Sequence, residues 1–311
     1  MRLKMFMVFY KDTLNDYGVI VIQVNLMDLM KLGNLEKKKD LKNGRSEMKF
    51  IAAMDHSGGS TGGVLERYDV EYTEDNKMDL VHDMRLRMIN SPDFIHENIW
   101  AAILYKDSVD RGAVKELNAK GIEAFLKIDS GCEDDGTLKV FNLDEMIMYA
   151  LTHNCYGTKM RSIVKTEQIL KTVLDQQFEY AEKIYAEGLV PIVEPEVPID
   201  HPQKAELEVI LEDELYRSLQ NFKGRCILKL TLPETANLYT SSIEHPSVDK
   251  VVGLSGGYTT DEACTRLKKN NNMGASFSRG LSENLFFNQS QEEFNKAISK
   301  NIKMIYEASS S

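Results

Sequence analysis

Short apolar runs alternate with longer amphipathic stretches from Phe50 almost to the end of the chain. The runs have the length of buried strands, and the stretches between them have the period of a helix. We count eight apolar runs and predict eight strands: Phe50 to Met54, Ile99 to Leu104, Ala124 to Ile128, Tyr156 to Arg161, Val190 to Glu194, Cys226 to Leu230, Val251 to Ser255 and Ala275 to Arg279.

The stretches between the runs predict helices at Asp79 to Met88, Val114 to Ala119, Leu143 to Thr152, Glu167 to Glu187, Gln203 to Leu219, Asp261 to Lys269 and Gln291 to Tyr306. Strands that alternate with helices form parallel sheets, and eight strands without a dinucleotide-binding glycine fingerprint favour a closed (β/α)8 barrel, the TIM barrel of the α/β class. No Ser- or Gly-rich linker interrupts this pattern, so we predict a single barrel domain at residues 48–311. The remaining residues 1–47 are predicted to be an N-terminal appendage, partly helical or weakly ordered, with a charged run at its end.

The composition and net charge of the chain limit the kinds of molecule that it is expected to bind. The chain has 311 residues, with 48 acidic against 38 basic side chains and a net charge of −10, which argues against nucleic acid as the main partner. A phosphorylated small molecule stays compatible, because a local cluster of cations can bind phosphate whatever the global charge. No stretch approaches the ~20 apolar residues of a membrane helix. The four cysteines show neither CxxC pairing nor histidine partners at metal-ligand spacing, so we expect a reduced, cytoplasmic protein without a metal. The sequence is compatible with a homo-oligomer and does not define the oligomeric state.

Polar residues stand where most of the predicted strands end, which is where barrel enzymes carry their chemistry. A charge inside an otherwise apolar strand is costly unless it is paired or faces a wet cavity. Several strands with such charges therefore predict a functional cavity. The residues concerned are Asp55, Ser57, Lys127, Lys159, Arg161, Glu194, Glu196, Lys229, Ser255, Gly256, Gly257 and Arg279.

Lys229 lies between Leu228 and Leu230 in a predicted strand. A single lysine of this kind is more often one that extends to solvent. Among apolar walls and other cations, however, more of a lysine stays neutral, the form that attacks a ketone. Lys159 can supply such a cation, because alternate strands of a barrel contribute side chains to one layer.

Glu194 and Glu196 are two residues apart and therefore on one face of an extended segment. Two close carboxylates suit proton transfer. The alternative is a proline-bounded loop with solvated acids, which the lysine on the next strand makes less favourable.

Two turns have the composition of anion sites. Ser255, Gly256 and Gly257 follow strand seven, and Arg279 adds a cation from strand eight. The turn from Asp55 to Ser60 after strand one is the second, although such glycine pairs also occur in ordinary turns. His56 has no Ser or Cys partner at a recognisable spacing, so we predict a hydrogen-bonded turn histidine.

With these residues in place, the sequence resembles the class I (Schiff-base) fructose-bisphosphate aldolases, especially the bacterial form. The resemblance covers roughly residues 44–309 and rests on several motifs in order. They are FIAAMDHSGGST, YGTKMRS, LVPIVEPEV, LKLTLPETANLY, VVGLSGGY, ASFSRGL and QSQEEFNKA.

The resemblance implies reversible cleavage of fructose 1,6-bisphosphate to dihydroxyacetone phosphate and glyceraldehyde 3-phosphate, without cofactor. Lys229 would form the Schiff base, Glu194 would help dehydrate the carbinolamine, and Glu196 would be the carboxylate beside the lysine. Asp55 would take part in deprotonating the C4 hydroxyl, and Lys159 would stabilise charge during cleavage. Substrate and phosphate contacts would come from Ser57, Ser60, Lys127, Arg161, Ser255, Gly256, Gly257 and Arg279.

One departure concerns the helix after the first turn. Relatives often carry a basic residue where Gly62 and Gly63 stand here, and Arg67 follows one helical turn on. Three readings remain: a fructose-bisphosphate aldolase, another Schiff-base barrel enzyme such as a transaldolase or a deoxyribose-phosphate aldolase, or a catalytically silent sugar-phosphate binder. Two separate anion-binding turns favour a bisphosphate substrate.

Overall fold

Eight parallel strands follow one another around the sheet in chain order. The structure, a computed structural model, describes residues 49–57 and 59–310. A backbone hydrogen bond from Ala53 N to Phe277 O joins the first strand to the segment after the last, so the sheet curls into the predicted (β/α)8 barrel. The strands are β1 Phe50–Met54, β2 Ile99–Leu104, β3 Glu123–Lys127, β4 Gly157–Ile163, β5 Val190–Glu196, β6 Cys226–Thr231, β7 Val248–Leu254 and β8 Met273–Ala275.

All seven predicted helices are present, with ends within three residues of the prediction. Several begin at side-chain caps: Asn142, Thr259 and Ser290 each accept a hydrogen bond from the backbone N–H three residues further on. The helices are α1 Gly59–Arg67, α2 Lys77–Ile89, α3 Lys106–Asp110, α4 Ala113–Ala119, α5 Leu143–Thr152, α6 Glu167–Ala186, α7 Lys204–Asn221, α8 Thr240–Glu244, α9 Thr260–Leu267, α10 Arg279–Ser282 and α11 Gln291–Ser309.

Helices α1, α3, α8 and α10 were not predicted. Three of them have only four or five residues, too few for a helical period to be visible. In α1, the sequence GSTGGVLER has three glycines, which disfavour a helix in isolation, and the segment was read partly as a turn. Packing of α1 against α2 and the buried Val64 and Leu65 outweigh this low propensity.

The last strand is shorter than predicted. We expected Ala275 to Arg279, but β8 ends at Ala275. Ser276 N still donates to Gly253 O, after which the chain turns and Arg279 begins α10. The alternating pattern of ASFSR suggested a longer strand. Phe277 is buried, but its side chain packs in the core after the strand has ended.

A separate cluster of apolar side chains fills the interior of the barrel. Side chains two residues apart on a strand share a face, so the next inward residue after Phe125 is Lys127, after Ile192 Glu194 and after Ile227 Lys229. The apolar cluster thus forms a floor below the polar side chains at the carboxyl ends of the strands. Its members are Ile51, Ala101, Ile103, Phe125, Tyr156, Val190, Ile192, Ile227 and Val252.

Gly136 provides a test of the loop after β3. Its φ is +99°, and a Cβ there would lie 1.9 Å from the carbonyl oxygen of Ile163. An alanine there would have a strained backbone conformation and a Cβ that overlaps this carbonyl group. Gly136→Ala is therefore expected to lower the free energy of unfolding by about 2–5 kcal/mol in urea titration. Gly112→Ala is the matched control, since Gly112 has φ +88° but open space around it, and should cost about 1 kcal/mol. Equal losses in the two variants would contradict the packing argument.

Two sequence predictions lie outside the described residues. They are the division at residue 47 and the partly helical or weakly ordered appendage at residues 1–47. In the described part of the chain, none of the helices combines the length and the apolar composition of a transmembrane segment.

Candidate active site

A cleft of about 710 Å³ opens at the carboxyl ends of the strands, above the apolar floor. Gly257 adjoins Gly256 in the same turn without lining the cleft. The Ser60 side chain lies outside what the structure describes, so its role stays a prediction. The predicted residues in the lining are Asp55, Ser57, Lys127, Lys159, Arg161, Glu194, Glu196, Lys229, Ser255, Gly256 and Arg279.

Four charged side chains meet at the centre of the cleft. Lys159 Nζ donates a hydrogen bond to Asp55 Oδ2 at 2.9 Å and lies 2.7 Å from Glu194 Oε2. The other oxygen of Glu194, Oε1, lies 3.3 Å from Lys229 Nζ. Asp55, Lys159, Glu194 and Lys229 therefore form one chain of alternating charge, which we call the charge network. Side chains of β4, β5 and β6, with Asp55 from the loop after β1, thus meet in one cleft.

Burial makes this charge network strongly interdependent, since Lys159 is only 3% exposed. Burial alone would raise the pKa of Asp55, but the charges of Lys159 and Lys229 and the hydrogen bond from Lys159 outweigh it and hold that pKa well below its usual range. Burial would lower the pKa of Lys159, yet the charges of Asp55 and Glu194 raise it above its usual value. At neutral pH Asp55 is thus an ionised acceptor and Lys159 a fixed cation.

The charge network places an amine beside a carboxylate. Lys229 stands next to the apolar floor, with its Nζ directed at a carboxylate that can take or return a proton. This arrangement suits imine formation followed by cleavage of a carbon–carbon bond.

Glu196 has a different partner from Glu194. Both glutamates line the cleft from β5, but Glu196 forms an ion pair with Arg161 on β4. Burial opposes the charge of Arg161, while Glu196 raises the pKa of its guanidinium above its usual value. Glu194 is the carboxylate that approaches Lys229, and Glu196 orients Arg161 at the wall of the cleft.

Asp129 belongs to the cleft although we did not single it out in the sequence. Lys127 Nζ lies 3.0 Å from Asp129 Oδ1 and donates to Ser57 Oγ at 3.0 Å. Asp129 also accepts hydrogen bonds from the backbone N–H groups of Gly131 and Arg161. The position two residues beyond Lys127, on the same face at the strand end, was the signal that could have identified it.

The turn after β7 has the backbone of an anion site. Gly256 and Gly257 have φ of +59° and +130°, conformations that glycine adopts without strain. A Cβ at Gly257 would lie 3.1 Å from Arg279 Nη1, so the guanidinium lies over the turn. Backbone N–H groups and a cation are thereby brought together at the rim of the cleft.

The Arg67 side chain lies next to Gly63 of α1. A Cβ at Gly63 would lie 3.5 Å from Arg67 Nη1, so the guanidinium folds back over the first half of α1. Burial lowers the pKa of Arg67, and the charge of Arg279 adds to this effect. Two guanidiniums near one another favour an anion between them.

Within residues 49–57 and 59–310, no three His, Cys, Asp or Glu side chains are grouped so that they could hold a metal ion. The charge network has two carboxylates, Asp55 and Glu194, and each is in contact with a lysine.

The fold is shared with a solved aldolase. The chain is similar to the structure of fructose-bisphosphate aldolase from Plasmodium falciparum in complex with TRAP and a small molecule inhibitor, with 19% sequence identity and a TM-score of 0.73. The similarity covers 89% of this chain and 94% of that one. At this level of identity it shows a common barrel fold.

The family is shown by a match in sequence. The family model for class-I fructose-bisphosphate aldolase matches residues 40–220, more than half of the chain. The matched segment contains Asp55, Lys159 and Glu194, three of the four members of the charge network. The match favours this family over transaldolases and deoxyribose-phosphate aldolases. The protein therefore belongs to the class I fructose-bisphosphate aldolases, lyases that cleave fructose 1,6-bisphosphate into two triose phosphates.

Proposed function

We propose that Lys229 is the Schiff-base lysine of this aldolase and that the charge network carries the proton transfers around it. The observation that supports this most directly is the chain of contacts from Lys229 through Glu194 and Lys159 to Asp55. These contacts support the proposal because an amine, a carboxylate that can carry a proton and an ionised acceptor would act within one cleft. We further propose the bacterial form of the family, supported by the order of motifs from FIAAMDHSGGST to QSQEEFNKA.

The first half of the reaction forms an imine. Glu194 takes a proton from the ammonium group of Lys229, and the neutral amine attacks C2 of the open-chain ketose. A proton then moves from the attacking nitrogen to the carbonyl oxygen to give a carbinolamine. Glu194, 3.3 Å from Lys229 Nζ, donates a proton to the departing hydroxyl, so that water leaves and a protonated imine remains. The positive nitrogen is the electron sink for the next step.

The second half breaks the C3–C4 bond. Asp55 accepts the proton of the C4 hydroxyl, the C4–O bond becomes a carbonyl, and the electrons of C3–C4 move to the imine nitrogen to give an enamine. Lys159, held between Asp55 and Glu194, stabilises the negative charge that develops at the C4 oxygen. Protonation of the enamine at C3 and hydrolysis of the imine then release dihydroxyacetone phosphate after glyceraldehyde 3-phosphate.

Two separate cationic groups in the cleft lining support a bisphosphate substrate. One is Lys127 with Ser57, and the other is Arg279 over the Gly256 turn. We include Arg67 as a further phosphate contact beside Arg279, while Glu196 keeps Arg161 directed at the substrate. The proposed substrate and phosphate contacts are Ser57, Ser60, Lys127, Arg161, Ser255, Gly256, Gly257 and Arg279.

Borohydride trapping tests the proposal. We expect that dihydroxyacetone phosphate followed by sodium borohydride leaves a stable adduct, and that peptide mapping by mass spectrometry assigns it to Lys229. We also expect activity to be unaffected by EDTA. An adduct on another lysine, no adduct, or activity that EDTA abolishes would each contradict the proposed mechanism.

The domain division and the cellular location belong to the same proposal. We propose that residues 48–311 form one catalytic domain, with residues 1–47 as an extension. A cytoplasmic location is supported by Cys132, Cys155, Cys226 and Cys264, all of which are free thiols.

A further inference from the structure

The barrel is least connected where its last strand meets its first. Among residues 49–57 and 59–310, one backbone hydrogen bond crosses this junction, from Ala53 N to Phe277 O at 3.4 Å. By comparison, β6 and β7 are in register over six residue pairs. β8 has only three residues and cannot extend the pairing towards the cleft. The strand hydrogen bonds therefore contribute little to the separation of the two loops above the junction.

A side-chain hydrogen bond provides that connection. His56 Nε2 and Ser278 Oγ lie 2.8 Å apart and link the loop after β1 to the loop after β8. The backbone of His56 is fixed as well, because Arg85 Nη2 donates a hydrogen bond to its carbonyl oxygen at 2.6 Å. Arg85 is 1% exposed and donates through Nη1 to Ser108 Oγ at 2.8 Å, so helices α2 and α3 anchor the loop.

The two ends of this connection carry the two proposed phosphate sites. His56 is flanked by Asp55 of the charge network and by Ser57, which accepts from Lys127. Ser278 precedes Arg279, whose guanidinium lies over Gly257. A change in the distance between His56 and Ser278 would thus change the distance between the two anion sites.

The imidazole holds Ser278 without adding a charge. Burial lowers the pKa of His56 to about 4, the charges of Arg85, Arg67 and Lys229 act in the same direction, and Asp55 opposes them. At neutral pH the ring is therefore neutral, with one N–H and one lone pair available for hydrogen bonds. This agrees with the sequence-based prediction of a hydrogen-bonded turn histidine.

We propose that His56 and Ser278 form a brace that sets the separation of the two phosphate-binding turns and so determines the preference for a ketose bisphosphate over a ketose monophosphate. His56 is a positioning residue in this inference, which rests on the proposed function of the two turns. A bisphosphate gains from its second phosphate only if both sites are held at the matching distance, because the second contact is then intramolecular. A ketose with one phosphate does not depend on that distance.

Steady-state kinetics with two substrates test the brace. For His56→Ala and for Ser278→Ala we expect KM for fructose 1,6-bisphosphate to rise roughly 10-fold, a small part of what linked contacts can contribute. KM for fructose 1-phosphate should stay nearly unchanged. Any loss of kcat through the neighbouring Asp55 should fall equally on both substrates. The double variant should behave like either single one, since both remove the same hydrogen bond.

A conservative variant and a control separate positioning from stability. His56→Gln should restore KM for the bisphosphate, because its amide can reach Ser278 from nearly the same point as Nε2. His153→Gln, a substitution at the end of α5 outside the cleft lining, should change neither KM. Equal changes of KM for the two substrates, additive effects in the double variant, or no rescue by glutamine would overturn the brace. Borohydride trapping on Lys229 in the wild-type protein tests the proposed function separately. If the adduct forms but His56→Ala and Ser278→Ala leave the ratio of the two KM values unchanged, the brace is contradicted and the proposed function is not.

Discussion

Replacing Lys229 by methionine is expected to lower kcat of the aldolase roughly 10⁵-fold, the scale seen when a covalent nucleophile is removed. Methionine keeps the length and apolar stem of lysine, so it fits between the floor of the barrel and Glu194 but cannot form an imine. Without the imine, the electrons of the C3–C4 bond have no acceptor. Turnover should be measured by coupled assay for released triose phosphate, and borohydride should leave no adduct.

Two further variants show whether the amine or the charge matters. Lys229→Arg retains a cation beside Glu194 but has no amine that forms a Schiff base, so it should be as inactive as Lys229→Met. Lys250 is the matched control, because it is a partly buried lysine on the adjacent strand β7, at the other end of the barrel, with its Nζ 5.5 Å from the centre of the Trp100 ring. Lys250→Met should keep its kcat. Substantial turnover by Lys229→Arg would contradict covalent catalysis at this position.

The barrel itself could be predicted from the sequence because its signal is repeated. Eight apolar runs alternate with helical stretches, and β1 and β2 begin and end where the pattern placed them. The errors arose where local pattern and tertiary contacts disagree. In α1 the glycines concealed a helix that packing stabilises, and at β8 the alternation around Phe277 resembled a strand although that side chain packs outside the sheet.

The site was predictable to the extent that it follows from position on a strand. Lys229, Lys159 and Glu194 are inward-facing residues of β6, β4 and β5, so their convergence follows from barrel geometry. The individual pairings do not follow from it. Whether Glu194 or Glu196 approaches Lys229 depends on the register between β5 and β6, which pairs Ile192 with Ile227 and so brings Glu194 level with Lys229. The position of Arg67 beside Gly63 depends on how a long side chain folds back.

Replacing Lys159 by methionine is the second substitution with a large expected effect. Lys159 is the cation shared by Asp55 and Glu194, so its loss leaves two buried carboxylates with Lys229 alone. We expect kcat to fall about 10²–10³-fold, the range found when one group that stabilises developing charge is removed. The amine of Lys229 stays in place, so borohydride should still trap an adduct there.

Stability should fall together with activity, and in a manner that depends on pH. In wild type the pKa of Asp55 lies below its unfolded value, so its ionised form stabilises the fold above pH about 4, and this contribution is lost as pH falls below that value. Without Lys159 the pKa of the buried carboxyl rises. Lys159→Met should then lose about 3–5 kcal/mol in urea unfolding at pH 7. The deficit relative to wild type should shrink towards acid pH, where protonation removes the unpaired charge.

A buried lysine away from the cleft separates the two effects. Lys204 is 5% exposed, lies 2.6 Å from Glu208 and donates to the carbonyl oxygen of Leu232 at 2.9 Å, but does not line the cleft. Lys204→Met should therefore lose stability on the scale of Lys159→Met, because each leaves a buried carboxylate without its cation, and yet keep kcat at temperatures where it is folded. If both variants lost kcat to the same extent, the effect of Lys159 would be one of folding. A fall in kcat confined to Lys159→Met assigns the cation to the stabilisation of the C4 oxygen during cleavage.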